Sequence, residues 1–301
     1  MSILDIGFFG DGGWSHNGLR LLLDDPSVNI NFICARYENP DEILKNIAKD
    51  YDIKFVTQKN INSSEFYDFA NSFNSQLFVS MSFNQIFQDN MINIPPLGII
   101  NCHAGKLPFY RGRNVLNWAL INDEKEFGIT VHYIDRSIDT GDIIIQTSHS
   151  ITDEDDYSSL LACSYINCAN NLYKAIKLIQ KGKARRIPQS EIDKKGSYCK
   201  RRKVGDEWID WQQGSRKIFN FIRGISKPGP NAHSMINNKI IRIVKADLLV
   251  APISMDDCHQ PGEIIDSGTS FFVVKTIDGA LKITEWIYPD RLALGERLQC
   301  Q

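Results

Sequence analysis

The chain lacks any apolar run approaching the ~20 residues that a membrane-spanning helix needs, so no membrane span is expected. It also lacks an excess of either charge. Its 34 Lys and Arg stand against 36 Asp and Glu, a formal net charge of −2, which predicts no bulk pull toward nucleic acid or an anionic bilayer. The seven cysteines, at 34, 102, 163, 168, 199, 258 and 300, are odd in number and show no Cys-x-x-Cys spacing. That argues against a zinc ribbon or a disulfide framework and suits free thiols in a reducing, cytoplasmic setting. The histidines have no ligand spacing, and no metal site is expected. Met1-Ser2-Ile3-Leu4-Asp5-Ile6 has no basic region ahead of its apolar residues and reads as a first strand, not a signal peptide. Internal repeats and low-complexity tracts are missing too.

What is present is enough apolar material for a large core: 43% of 301 residues. A chain of this size buries roughly 75% of its unfolded surface and divides most readily into one large and one small domain. The first half alternates strand-like and helix-like segments: Leu4 to Phe9, Leu19 to Leu23, Ile30 to Ala35, Asp41 to Ala48, Lys54 to Val56, Ser64 to Phe73, Leu77 to Met81. The order predicts an α/β, Rossmann-like, doubly wound and mostly parallel sheet, with sites at the carboxyl ends of its strands. Ile99 to His103 is a further strand, Asn114 to Ile121 a helix, and Gly128 to Ile134 with Ile143 to Gln146 a strand pair. Tyr157 to Lys181 is a long closing helix, and the basic stretch Asp193 to Asp206 is a connector. Beyond it, Ile240 to Val244, Gly262 to Ile265, Phe271 to Lys275 and Ala280 to Thr284 read as a small β-rich, OB-like domain. The expected division is 1–205 and 206–301, with Trp208, Trp211, Phe219 and Phe221 as core around the boundary.

The chemistry concentrates in Asn101-Cys102-His103 and in Asp135-Arg136-Ser137-Ile138-Asp139-Thr140-Gly141-Asp142. On a strand, Asn101 and His103 project from one face and Cys102 from the other. An imidazole can take a proton near neutral pH, a carboxylate stabilises the imidazolium, and a carboxamide N–H can hold an oxyanion. That set suits acyl transfer to an amine without a covalent enzyme intermediate. His132 reads as structural.

These residues carry a resemblance. Asn101-x-His103, Leu107-Pro108, Tyr110-Arg111-Gly112-Arg113, Trp118-Ala119, Gly128-x-Thr130-x-His132 and Ile138-Asp139-Thr140-Gly141-Asp142 resemble the 10-formyltetrahydrofolate-dependent formyltransferases. Asp210-Trp211, Ile218, Ile222-Arg223 and Pro228-Gly229-Pro230 are similar to that family's linker and C-terminal domain. The resemblance implies that Asn101, His103 and Asp139 are catalytic. It places the folate co-substrate, 10-formyltetrahydrofolate, against the backbone of Gln85, Ile86 and Phe87 at the end of a strand and, opposite them, on Asp135, Ser137 and Ile138.

Within the family, the run from Gly105 to Leu120 is most similar to the enzymes that formylate nucleotide-linked amino sugars, the dTDP-4-amino-4,6-dideoxyglucose type. Lys106, Tyr110, Arg111, Arg113 and Asn114, together with Trp14, are then the expected substrate-binding residues, since a diphosphate calls for well-placed cations. The methionyl-tRNA enzymes carry a basic loop after the second strand, where this chain has the short, acidic Tyr37-Glu38-Asn39-Pro40-Asp41-Glu42. The run Lys200 to Lys203 reads as a solvated connector, and no nucleic-acid partner is expected. Methionyl-tRNA formylation and a non-catalytic folate or nucleotide-sugar sensor are the two rivals. A nicotinamide enzyme is set aside: after Gly10-x-Gly12-Gly13-Trp14 the last glycine that the dinucleotide fingerprint needs comes too late, at Gly18. A homodimer is expected through edge strands of the small domain.

Overall fold

The computed structural model describes residues 3–249 and 259–300, so Cys258 lies outside the described residues. The chain divides into two compact units. The first is Met1–Gly112, Phe127–His149 and Ala162–Cys199; the second is Arg113–Glu126, Ser150–Leu161 and Lys200–Gln301.

The first unit is built on β1 (Leu4–Gly10), α1 (Gly12–Leu23), β2 (Val28–Ala35), α2 (Glu42–Asp50), β3 (Lys54–Thr57), α3 (Ser64–Ser72), β4 (Leu77–Met81), α4 (Asp89–Ile92) and β5 (Ile99–His103). The short β6 (Arg111–Gly112) follows, and α5 (Val115–Ile121) belongs to the second unit. The sheet is completed by β7 (Glu126–Tyr133) and β8 (Ile143–Ser150), succeeded by α6 (Tyr157–Gln180), α7 (Gln189–Ile192) and β9 (Tyr198–Cys199). Strand order is β3-β2-β1-β4-β5-β7-β8. The five strands from β3 to β5 run parallel, and β7 is antiparallel to β5. The expected doubly wound sheet is the one observed. Nearly every residue of β1 and all of β4 are buried, as strands covered on both faces must be.

A phenylalanine cluster fixes this sheet to its loops. The Phe9 ring meets those of Phe32, Phe66, Phe78, Phe83 and Phe87 at centroid distances of 5.5, 6.1, 5.4, 5.5 and 4.9 Å. Burying each such ring stabilises the fold by roughly 1.5–3 kcal/mol. Ser82, at φ +57°, ends β4, so Gln85 to Phe87 lie in the following loop and not at the strand end expected from the sequence.

Helix α1 starts at Gly12, well ahead of the Leu19 expected from the sequence, and Asp11 alone makes the corner. Asp41 ties this corner to the next helix. Its Oδ1 accepts from Ile43 N and Leu44 N at the start of α2, and its Oδ2 accepts from Gly12 N at 2.8 Å and meets His16 Nε2 at 2.8 Å.

The second unit holds α5, α8 (Ser215–Gly224) and an antiparallel sheet of β10 (Ala232–Ile236), β11 (Lys239–Leu248), β12 (Ile264–Ser267), β13 (Phe272–Lys275) and β14 (Ala280–Ile287) in the order β10-β11-β14-β13-β12. Met235 pairs with Gln299 and Glu263 with Arg297, so one terminal segment bridges β10 and the residue just before β12. Trp211, Ile218, Phe219 and Ile222 pack with the sheet's inner face, as core. Helix α8 and strand β10 were not anticipated from the sequence. No helix among the described residues is long and apolar enough to cross a membrane.

Burial raises the Asp41 carboxyl, but the N–H groups of Leu44 and Gly12 and the His16 ring outweigh it and hold the group below its ordinary 3.8. Stability from this carboxylate is therefore complete above that value and fades as the pH falls below it. Asp41→Ala is expected to cost about 1–3 kcal/mol near neutrality. In thermal unfolding, the gap to wild type should narrow as the pH drops through that region; a gap constant down to strong acid contradicts the assignment.

Candidate active site

The site grows from the register of two neighbouring strands. Asn101 pairs with His132 and His103 with Thr130 across β5 and β7. Alternation then puts all four side chains on one face. Cys102 projects to the other, where its Sγ meets the Cys168 carbonyl at 3.5 Å.

Both imidazoles are fixed by backbone carbonyls. His103 Nε2 lies 2.7 Å from the Tyr110 carbonyl and His132 Nδ1 lies 2.7 Å from the Tyr133 carbonyl. A carbonyl only accepts, so each of these nitrogens carries its hydrogen in either protonation state. The bare nitrogen of neutral His103 is thus Nδ1, which faces Asp139 Oδ2 at 3.7 Å. That of His132 is Nε2, which accepts from Asn101 Nδ2 at 3.2 Å and stands 3.6 Å from Asp139 Oδ1. The Asn101 carboxamide is thereby oriented, and its second N–H remains to be aimed at a ligand oxygen.

Asp139 completes the set. It sits in the turn between β7 and β8 at φ +56°, a left-handed conformation that aspartate tolerates better than most residues. Gly112 N donates to its Oδ2 at 2.9 Å. Burial pushes the carboxyl up, but the positive charge of His103 and His132 as imidazolium and the Gly112 N–H prevail and hold it well below the usual carboxylate range. The side chain is only 13% exposed, so this is an ionised group kept from water between two imidazoles.

Two glycines are required by close approach. A Cβ on Gly105 would fall 2.5 Å from both His103 Nε2 and the Tyr110 oxygen, severing their bond. One on Gly141 would fall 1.9 Å from the Tyr133 carbonyl oxygen. Thr130 Oγ1 donates to Gly105 O at 2.7 Å and so holds the glycine segment against β7.

The other expected residues are placed more variously. Gln85 is turned toward the loop after β3: its Oε1 accepts from Ile61 N, and its Nε2 donates to Gln58 O. Phe87 is core. Ile86 and Ile138 are 58% and 50% exposed, unusual for isoleucine and suited to a flat apolar ligand. Asp135 is committed to its turn, accepting from Ser137 N and Thr140 Oγ1 at 3.0 and 2.5 Å. Trp14 rests on Tyr165 at 4.8 Å and donates to Ser164 Oγ. Lys106 is half-buried beside Gly128, which would clash with it if given a Cβ. Tyr110 contributes its carbonyl, as above.

Arg111, expected to meet a substrate phosphate, is instead buried and turned inward. Its Nε and Nη2 donate to Gln189 Oε1 at 3.0 and 2.7 Å. Arg113 and Asn114 belong to the second unit. Arg113 is exposed, and Asn114 precedes α5 and accepts from Arg202 N. Among the described residues no group of three or more His, Cys, Asp or Glu is arranged to hold a metal. His132 is the candidate that sequence reasoning passed over; the signal was its place two residues beyond Thr130 on a strand facing Asn101.

A family model described as formyl transferase matches residues 25–164, and one described as the formyl transferase C-terminal domain matches 202–294. Among curated proteins, the methionyl-tRNA formyltransferase of Pelotomaculum thermopropionicum is 32% identical over 83% of this chain and 78% of its own. That of Halothermothrix orenii is 31% identical over 98% of both. The chain belongs to the formyltransferase family.

Solved structures share the fold of this formyltransferase. The sugar 3N-formyltransferase WlaRD, solved in the presence of dTDP and 5-N-formyl-THF, superposes with a TM-score of 0.71 at 22% identity, covering 96% of this chain and 100% of that one. An N-formyltransferase from Helicobacter canadensis, in complex with folinic acid and dTDP-3-aminofucose, gives 0.70 at 21% identity over 95% and 100%.

Gly141→Ala is expected to cost this formyltransferase about 1–3 kcal/mol from overpacking and to displace the Asp139 turn. Melting temperature and turnover should fall together, and unchanged turnover contradicts the role given to the turn.

Proposed function

We propose that this formyltransferase moves the formyl group of 10-formyltetrahydrofolate onto the amine of a nucleotide-linked deoxy-amino sugar, of the dTDP-4-amino-4,6-dideoxyglucose type. The observation that carries the catalytic part is the Asn101–His132–Asp139–His103 constellation, with one acceptor nitrogen facing a buried carboxylate. The folate supplies an activated formyl group and a nitrogen that can leave. The exposed Ile86 and Ile138, on the loops after β4 and β7, fit a flat ring system.

The chain's own residues then divide the work. Asn101 donates an N–H to the formyl oxygen, which gains charge as the amine adds to the formyl carbon. His103 accepts the amine proton at Nδ1, and Asp139 balances the imidazolium. The new bond joins the sugar nitrogen to the formyl carbon, and the bond broken joins that carbon to the folate nitrogen, which departs with a proton. Removing one oxyanion donor typically costs about 10²–10³-fold in kcat.

What supports the sugar over the tRNA is the loop after β2. Only residues 36–41 separate β2 from α2, and the loop is drawn in by Asp41 and by Arg36, which pairs with Asp11 at 3.1 Å and donates to the Ser82 carbonyl. With a net charge of −2, the chain has little to offer a polyanion. The curated relatives at about one-third identity favour the second reading, methionyl-tRNA formylation.

A tetrahydrofolate-release assay decides between them. Purified protein with 10-formyltetrahydrofolate is expected to turn over with one dTDP- or UDP-linked amino sugar and not with methionyl-tRNA. Turnover with the tRNA alone overturns the sugar reading. Asn101→Ala should lower kcat about 10²–10³-fold, and full activity in that variant contradicts the mechanism.

A further inference from the structure

We propose that Gln189, itself set by Arg111, is a positioning residue that holds Asp139 in the conformation catalysis needs. The inference rests on the catalytic reading above and adds to it two residues that never touch a reacting atom.

Gln189 is 3% exposed and every polar atom of its carboxamide is engaged. Its Nε2 donates to the carbonyl of Asp139 at 2.8 Å and to that of Gly141 at 2.9 Å, bracketing the turn. Its Oε1 accepts twice from Arg111, at 3.0 Å from Nε and 2.7 Å from Nη2. An arginine offers only donors and stays charged, so Gln189 has one permitted orientation: oxygen toward Arg111, hydrogens toward the turn. A free glutamine could flip and set its oxygen against two carbonyl oxygens.

Arg111 is pinned in turn. It is 8% exposed, and its Nη1 donates to Lys195 O at 3.4 Å. Its guanidinium stands 5.4 Å from the Tyr198 ring centre, while its backbone pairs with Tyr198 between β6 and β9. The next residue, Gly112, gives its N–H to the Asp139 carboxylate. Adjacent residues of β6 therefore hold Asp139 from two sides, Gly112 directly at the carboxylate and Arg111 through Gln189 at the backbone. A left-handed conformation is sparsely populated even by aspartate, and it persists where its surroundings over-determine it.

The test is a double-mutant cycle in the full-length protein, read by tetrahydrofolate release with the amino-sugar nucleotide that turns over. Gln189→Met has nearly the length of glutamine and no donor. It is expected to lower kcat about 10–100-fold, the scale of a small misplacement of a catalytic group, with KM for both substrates within about twofold. In an Asp139→Asn background the same substitution should change kcat little, because what it positions is already gone. Gln189→Glu keeps a partner for Arg111 but loses the donors to the turn; it should show the same loss and serves if the methionine variant folds poorly. Full kcat in the Gln189 variants beside an impaired Asp139→Asn overturns the relay alone. An equal fold-loss in both backgrounds also overturns it, since that is the signature of a structural effect. An Asp139→Asn protein with full activity overturns the relay and the catalytic reading together.

Discussion

The structure depends on keeping one carboxylate ionised away from water. Asp139 gains more from a backbone N–H and from the positive charge its two neighbouring rings carry as imidazolium than it loses by burial, and each of these partners is fixed by something else. The Tyr110 and Tyr133 carbonyls set the two rings, the β5–β7 register sets their spacing, and β6 supplies the N–H. A buried charge without such partners costs several kcal/mol. The site is therefore not an ornament on the sheet. Its electrostatics require the register, the glycines and the left-handed turn to be as they are.

The phenylalanine cluster and the Asp41 corner serve the same end from the opposite half of the sheet. They tie β1, β2 and β4 to the loops that follow, which carry Gln85 to Phe87 and the Asp11 corner. Gln85 and Phe87 act as anchors by which Ile86 is left exposed. In the segment whose backbone the sequence reading set against the folate, two side chains build the loop and one faces outward.

Much of this was legible in advance. Continuous apolar runs between helical segments told of a parallel sheet, and strict alternation paired Asn101 with His103 while turning Cys102 away. Asp139 was found through its motif. His132 was missed because its role depends on which residue of β5 it opposes, and an antiparallel register between residues 31 positions apart leaves no local trace. Arg111 was misdirected for a related reason. A positive charge beside a proposed phosphate site invites the phosphate reading, and its partner Gln189 lies 78 residues further on. Helix α8 escaped because ten residues, Ser215 to Gly224, are short for periodicity to stand out against the strands that follow.

The central claim is that backbone carbonyls fix which nitrogen of each ring carries its hydrogen, leaving His103 Nδ1 as the proton acceptor beside Asp139. Long-range proton–nitrogen NMR of histidine-labelled protein, at a pH where both rings are neutral, reads this directly. The account predicts the Nε2–H tautomer for His103 and the Nδ1–H tautomer for His132. A neutral His103 with its hydrogen on Nδ1 would contradict it, because the nitrogen facing the carboxylate would then have no room for the substrate's proton.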